Sequence, residues 1–162
     1  MSTTKVSAAM QDAGAIVQVV NTQTGAVATG TTVIPQDDTI PQNTEGDEYM
    51  TLAVTPTNAN NILEINIEAY MSPSTPGWMI MALFQDSTAG ALAVGGGYMG
   101  TGTEAVHRTF TYRMVAGTVS ATTFKFRAGL DLAGTTSFNG KSTARHFGGV
   151  LTSSINVKEI AV

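Results

Sequence analysis

The stretch from Trp78 to Gly97, WMIMALFQDSTAGALAVGGG, decides how the chain reads. From Trp78 to Phe84 it is an unbroken apolar run, closed by Gln85 and Asp86 and preceded by the breakers Pro76 and Gly77. A buried helix wants ten or more residues and no flanking breakers, so this run predicts a strand covered on both faces. Ala91 to Val94 is a second short apolar run, which makes Asp86 to Gly90 the candidate hairpin turn. Glycines 95, 96, 97, 100 and 102 then predict a flexible loop holding Tyr98 and Met99.

The surrounding composition suits partners for that strand. Of 162 residues only 12% are charged, about half of the usual ~25%. Threonine (25), glycine (17) and serine (10) stand in their place. Threonine is β-branched and fits a pleated, half-exposed surface, whereas Lys and Glu fit exposed helix faces. The chain therefore reads as one all-β domain with a hydrophobic core. A net charge of −4 supplies no basic field for nucleic acid. No apolar window is long enough to span a membrane as a helix, and no secretory leader pattern opens the chain. With no cysteine there are no disulfides and no thiolate metal sites. Oligomerisation is the expected alternative stabiliser.

Residues 1–14 are small and polar, with Val6 and Met10 four apart and Gly14 as a stop, and predict an N-terminal arm. Residues 15–162 form the folded part. A first strand is expected over Ala15–Thr22 and a weaker one over Val27–Ile34. Pro35 to Asp47, PQDDTIPQNTEGD, is the longest loop-like stretch. Met50, Leu52 and Val54 alternate with Tyr49, Thr51 and Ala53. Ile62 to Met71 is the clearest amphipathic strand, with Leu63, Ile65, Ile67, Ala69 and Met71 opposite Glu64, Asn66 and Glu68. Phe110, Tyr112 and Met114 are expected to face inward, as are Phe124, Phe126, Ala128 and Leu130. Leu132 to Arg145 is loop-rich around a short strand at Ser137-Phe138, and Val150 to Ile160 closes the chain. Eight or more short strands without a long helix predict an antiparallel β-sandwich or jelly roll.

The stretch IVQVVNTQTGAVATGTTVIPQDDTIPQNTEGDEYMTLAVTPTNANNILEINI, with ALFQDSTAGALA and the closing FNG…RHFGGVLTSSINVKEI, resembles C-terminal domains of tail-fibre and other virion proteins of tailed bacteriophages. The resemblance covers nearly the whole chain from Ala15. Such domains are similar to the trimeric jelly rolls of viral fibre knobs and of the C1q and tumour-necrosis-factor group. The resemblance implies a virion location, a homotrimer, contact with the major capsid or other virion proteins, and no cofactor. With no long repetitive shaft before the knob, a capsid decoration protein is favoured over a tail fibre, with attachment through Val6 and Met10.

No constellation carries catalysis. Asp37, Asp38, Glu45, Asp47 and Glu48 crowd one loop and could offer oxygen ligands to calcium, but no EF-hand spacing is present and the same residues make turns. Ser142, His146 and Asp131 lack a nucleophile elbow. Glu64 and Glu68 share a strand face about 13 Å apart, too far for a glycosidase pair; pairing with basic neighbours is expected. GGGYMGTG lacks the lysine of a phosphate loop. Lys125 and Arg127 share a strand face, with Arg113 expected beside them, as candidate subunit or receptor contacts. Exposed aromatics such as Trp78, Tyr98 or Tyr70 would serve a second function, stacking on a host surface glycan; a buried Trp78 would count against this. The eight methionines read as adaptable core filler.

Overall fold

The computed structural model describes residues 12–102 and 104–162; Val6, Met10 and most of the expected arm lie outside them. In chain order the strands are β1 (Ile16–Thr24), β2 (Ala28–Gly30), β3 (Asp47–Val54), β4 (Ile62–Pro73), β5 (Gly77–Gln85), β6 (Ala93–Met99), β7 (Val106–Val115), β8 (Thr122–Leu130), β9 (Thr136–Phe138), β10 (Gly140–Lys141), β11 (Ala144–Arg145) and β12 (Ser153–Ile160). Two antiparallel sheets pack face to face. One is β3-β8-β5-β6. In the other, β4 is flanked by β7 on one edge and by β12, then β9, on the opposite edge, with β1 beyond β12 and β2 beyond β9.

The alternation along β4 explains its place. Leu63, Ile65, Ile67, Ala69 and Met71 are fully buried, while Glu64, Asn66 and Glu68 point outward. Each of the larger of these side chains, once removed from water, contributes roughly 1.5–3 kcal/mol. Facing them across the core are Phe124, Phe126, Ala128 and Leu130 of β8, Met79, Met81 and Leu83 of β5, and Met50, Leu52 and Val54 of β3. Phe110, Tyr112 and Met114 of β7 pack against this cluster, half-buried, as their alternation predicts.

β5 is covered on both faces, and the cover on its outer face comes from Ile34, the end of the expected second strand, and the loop-like stretch that follows it. Ile34 is fully buried and forms a second apolar cluster with Ile80, Ala82 and Phe84. Its backbone N–H donates to the Leu130 carbonyl at 2.9 Å. The tip of residues 35–46 is tied to the β5–β6 hairpin, where Asn43 N–H donates to Ala89 and Ala91 N–H donates to Pro41. The strand expected over Val27–Ile34 shrinks to Ala28–Gly30, because the chain leaves the sheet there to become this outer layer.

The glycine run is also reassigned: residues 95–97 lie within β6, paired to β5 from Gly77↔Met99 to Leu83↔Ala93. Glycine is required because β7 crosses close beneath, and a Cβ on Gly95 would sit 2.8 Å from the Phe110 ring. The hairpin turn falls where expected, opened by Asp86 at φ 51, a left-handed conformation that Asp tolerates. The Asp86 carboxylate accepts hydrogen bonds from the Thr122 hydroxyl and Thr123 N–H, locking the turn to β8.

At the start of the described chain, Gly14 N–H donates to the Ala161 carbonyl at 2.8 Å and Ala161 N–H returns to Ala15 at 2.9 Å. Pairing therefore begins one residue before the expected boundary.

Candidate functional site

The outer cover does not reach all of β5 and β6. Between its Pro35–Pro41 segment and the two strands runs a groove of about 380 Å³. Ile80, Val94, Gly95 and Gly96 floor it, Trp78 stands at one side, and Pro35, Gln36, Asp37, Thr39 and Pro41 form the other. Trp78 lies near the start of β5, just before Ile34 takes over the covering, so the residue is left 38% exposed. Its backbone is fixed, with the N–H donating to Asp131 Oδ1 at 2.9 Å. Register places Tyr98 directly opposite Trp78, and the rings meet edge to face with centroids 6.5 Å apart. Tyr98 is 58% exposed. The structure thus joins two of the aromatic residues expected to meet a ligand, while Tyr70 lies in the other sheet.

The polar wall is ordered by its own short-range bonds. Asp37 Oδ1 accepts the Thr39 N–H at 2.8 Å and the Thr39 hydroxyl at 2.5 Å. These two bonds hold the Asp37 carboxyl below its ordinary pKa, and among the described residues no donor reaches Oδ2. Two other acids of this stretch are likewise engaged locally: Glu45 accepts Gln42 N–H, and Asp47 accepts both Thr32 donors. Among the described residues no three acidic or imidazole groups gather as a metal site.

The basic residues fall elsewhere. Arg127 is turned inward onto the chain: Nε donates to the Glu45 carbonyl at 2.9 Å and Nη2 to the Gly46 carbonyl at 2.7 Å, with Glu48 at 3.5 Å. It clamps the base of the outer cover. Lys125 shares its strand face and stands opposite Thr51. Arg113 is not beside them but on the other sheet, where it and Lys158 (3.1 Å) flank Glu64. Those two cations hold the Glu64 carboxyl below its usual range, with Arg113 the larger influence. Glu68 stands opposite Ser154 and Thr109 and has no basic partner among the described residues. No hydrogen bond joins Ser142, His146 and Asp131 among the described residues; Asp131 holds Trp78 instead.

Two features escaped the sequence reading. The groove needs the Pro35–Pro41 segment to fold back over a strand distant in sequence, and no local pattern announces that. The second is the β10–β11 hairpin, whose two-residue turn, Ser142-Thr143, has both residues left-handed (φ 49 and 66). Turns of this kind favour Asn-Gly, so no turn signal marked it. It is followed by Phe147, 73% exposed.

Neither a family model nor a curated protein matches the chain. Among solved structures it is similar to dimeric latent PorU from Porphyromonas gingivalis, with a TM-score of 0.41 and 6% identity over 92% of this chain and 14% of that one. It is also similar to the infectious bursal disease virus Gx strain structure, with a TM-score of 0.42 and 11% identity over 100% of this chain and 42% of that one. A third likeness is to the enzymatically active domain of bacteriophage CBA120 tailspike protein 4, with a TM-score of 0.29 and 14% identity over 78% and 19%. The chain spans less than half the length of each. At these TM-scores the likenesses carry no argument about function.

Proposed function

We propose that the chain is a non-enzymatic bacteriophage virion protein: a jelly-roll knob that assembles as a homotrimer and decorates or stabilises the capsid through its N-terminal arm. The observation that carries the reading is strand order. Ranking the eight main strands by position in the chain, one sheet runs first-eighth-third-sixth and the other second-seventh-fourth-fifth. First pairs with eighth, second with seventh, third with sixth and fourth with fifth. One long hairpin folded double and rolled into two sheets would give this order, which supports the jelly-roll reading. The sequence resemblance to phage virion domains from Ala15 onward supplies the virion part.

The trimer rests on the low charge, the absent cysteines and apolar side chains left at the surface, among them Ile16 and Val19 on the free edge strand β1. Light scattering at micromolar concentration is expected to give three times the chain mass; a monomer mass overturns the trimer. Deleting residues 2–11, short of the Gly14–Ala161 bond, is expected to leave a folded trimer that no longer joins particles.

A second reading, a tail-fibre or spike tip that binds a host glycan, is favoured by one observation: Trp78 stays exposed above an ordered polar wall.

A further inference from the structure

We propose that the groove between Trp78 and the Pro35–Pro41 segment is a binding subsite for a neutral hexopyranose unit of a surface polysaccharide. The inference deepens the glycan-binding reading and rests on it; it does not depend on where the protein sits on a particle.

Three features select this ligand class. An indole backed edge-on by Tyr98 offers an apolar plate for the C–H face of a pyranose ring. Across the groove, Asp37 Oδ2 and the Gln36 side chain offer acceptors and donors for hydroxyls. Asp37 is already oriented by its bonds to Thr39, so little freedom is lost when a sugar binds. Gly96 adds only backbone to the floor; its missing Cβ spares the Met79 carbonyl of the paired strand, 2.3 Å from where that atom would sit. The volume, about 380 Å³, lies at the small end of ligand pockets, the size of one or two sugar rings.

Charge sets the sign of the selectivity. Among the described residues the lining includes Asp37 and no cation, and Asp38 adjoins it in the chain. A uronate or sialate ring would meet like charge, so neutral sugars are favoured.

Trp78 is the sole tryptophan, so its emission reports on the groove directly. The experiment titrates the full chain with maltose, cellobiose, lactose and diacetylchitobiose to about 50 mM, beyond the millimolar affinities of single-site sugar binding. A digalacturonate titration is run in parallel. At least one neutral disaccharide is expected to shift the emission saturably, and digalacturonate to leave it unchanged. Saturation-transfer NMR on Trp78→Leu and Asp37→Ala should show binding weakened tenfold or more with the thermal midpoint unchanged, and Trp78→Phe should restore part of it. No saturable shift with any of the four neutral sugars overturns the subsite. Equal response to digalacturonate overturns the charge argument. Emission that shifts with protein concentration alone means a second copy covers the groove, which also overturns it. Cosedimentation of the same protein with insoluble cellulose and chitin reads glycan binding as such, so retention without an emission shift overturns the subsite alone, and loss of both overturns the reading it rests on.

Discussion

Glu159 accepts the Thr57 backbone N–H on both carboxylate oxygens, at 2.9 and 3.0 Å, joining the last strand to a turn about a hundred residues earlier. The Thr57 hydroxyl, Asn58 N–H and Asn61 Nδ2 complete the cradle at 2.7, 3.1 and 2.7 Å. With its amide nitrogen turned inward, Gln18 adds a further donor at 3.1 Å. Burial alone would raise the Glu159 pKa, but the bonds from Thr57, Asn61 and Asn58 outweigh it and hold the group low. A carboxyl depressed in the folded state stabilises fully above its unfolded value, about 4.3, and loses that contribution as pH falls through the folded value. We expect Glu159→Gln to destabilise by about 1–3 kcal/mol at pH 7. In urea unfolding curves at pH 7 and pH 3, the gap to the wild type should narrow at the lower pH.

Charge on β5 should be severe on both faces, though by different routes. Leu83→Asp puts an unpaired carboxylate between the sheets, where the penalty is several kcal/mol, a large part of the roughly 5–15 kcal/mol holding a domain together. Ile80→Asp strikes the face under Ile34, where the outer cover can lift to admit water. We expect Leu83→Asp to abolish folding, and Ile80→Asp to leave a residual fold that limited proteolysis cuts within residues 35–46. Two soluble, protease-resistant variants would contradict the double burial.

Replacing Arg127 tests the clamp. Two of its guanidinium nitrogens hold successive carbonyls, Glu45 and Gly46, a geometry Lys cannot reproduce. Arg127→Lys is expected to speed hydrogen exchange at Ile34 and Gly46, whose N–H groups bond to Leu130 and Val33, while leaving the β4 amides protected.

On the opposite sheet, Glu64 between Arg113 and Lys158 is a surface arrangement. Glu64→Asn should shift the urea midpoint only slightly, and less in high salt. Ile65→Asp, one residue on and fully buried, should unfold the protein.

What the sequence disclosed and what it concealed follow from the range of the interactions. The period-2 alternation of β4 and the apolar run of β5 are local consequences of one-sided and two-sided burial, so both were legible. The glycines of β6 misled because composition alone signals flexibility, whereas here Phe110 from a neighbouring strand makes glycine necessary. The acidic Pro35–Asp47 stretch read as a loop because, prolines aside, Ile40 alone breaks its polarity; its anchor is Ile34, just before it, whose burial no local pattern announces. Trp78 and Tyr98 could each be named as exposed aromatics. Their meeting depends on the β5–β6 register, which a turn of uncertain length does not determine. Arg127 looked like a surface cation because its partners are backbone carbonyls, invisible to any search for opposite charge.

The pairing of β1 with β12 has a consequence in time. Ile16 lies opposite Ile160, so the neighbour that completes this side of the sheet is synthesised after every other described strand. The apolar faces of β4 and β5 exist long before it arrives. Contacts that close so large a loop form slowly, and strands that wait uncovered are prone to join those of other chains. The Gly14–Ala161 bond brings the two ends of this wait within 2.8 Å of each other. A circular permutant that links Gly14 to Ala161 by a short bridge and opens the chain at Thr75 would turn the most distant pairing into a hairpin. Its refolding should be faster and less dependent on protein concentration than that of the natural order.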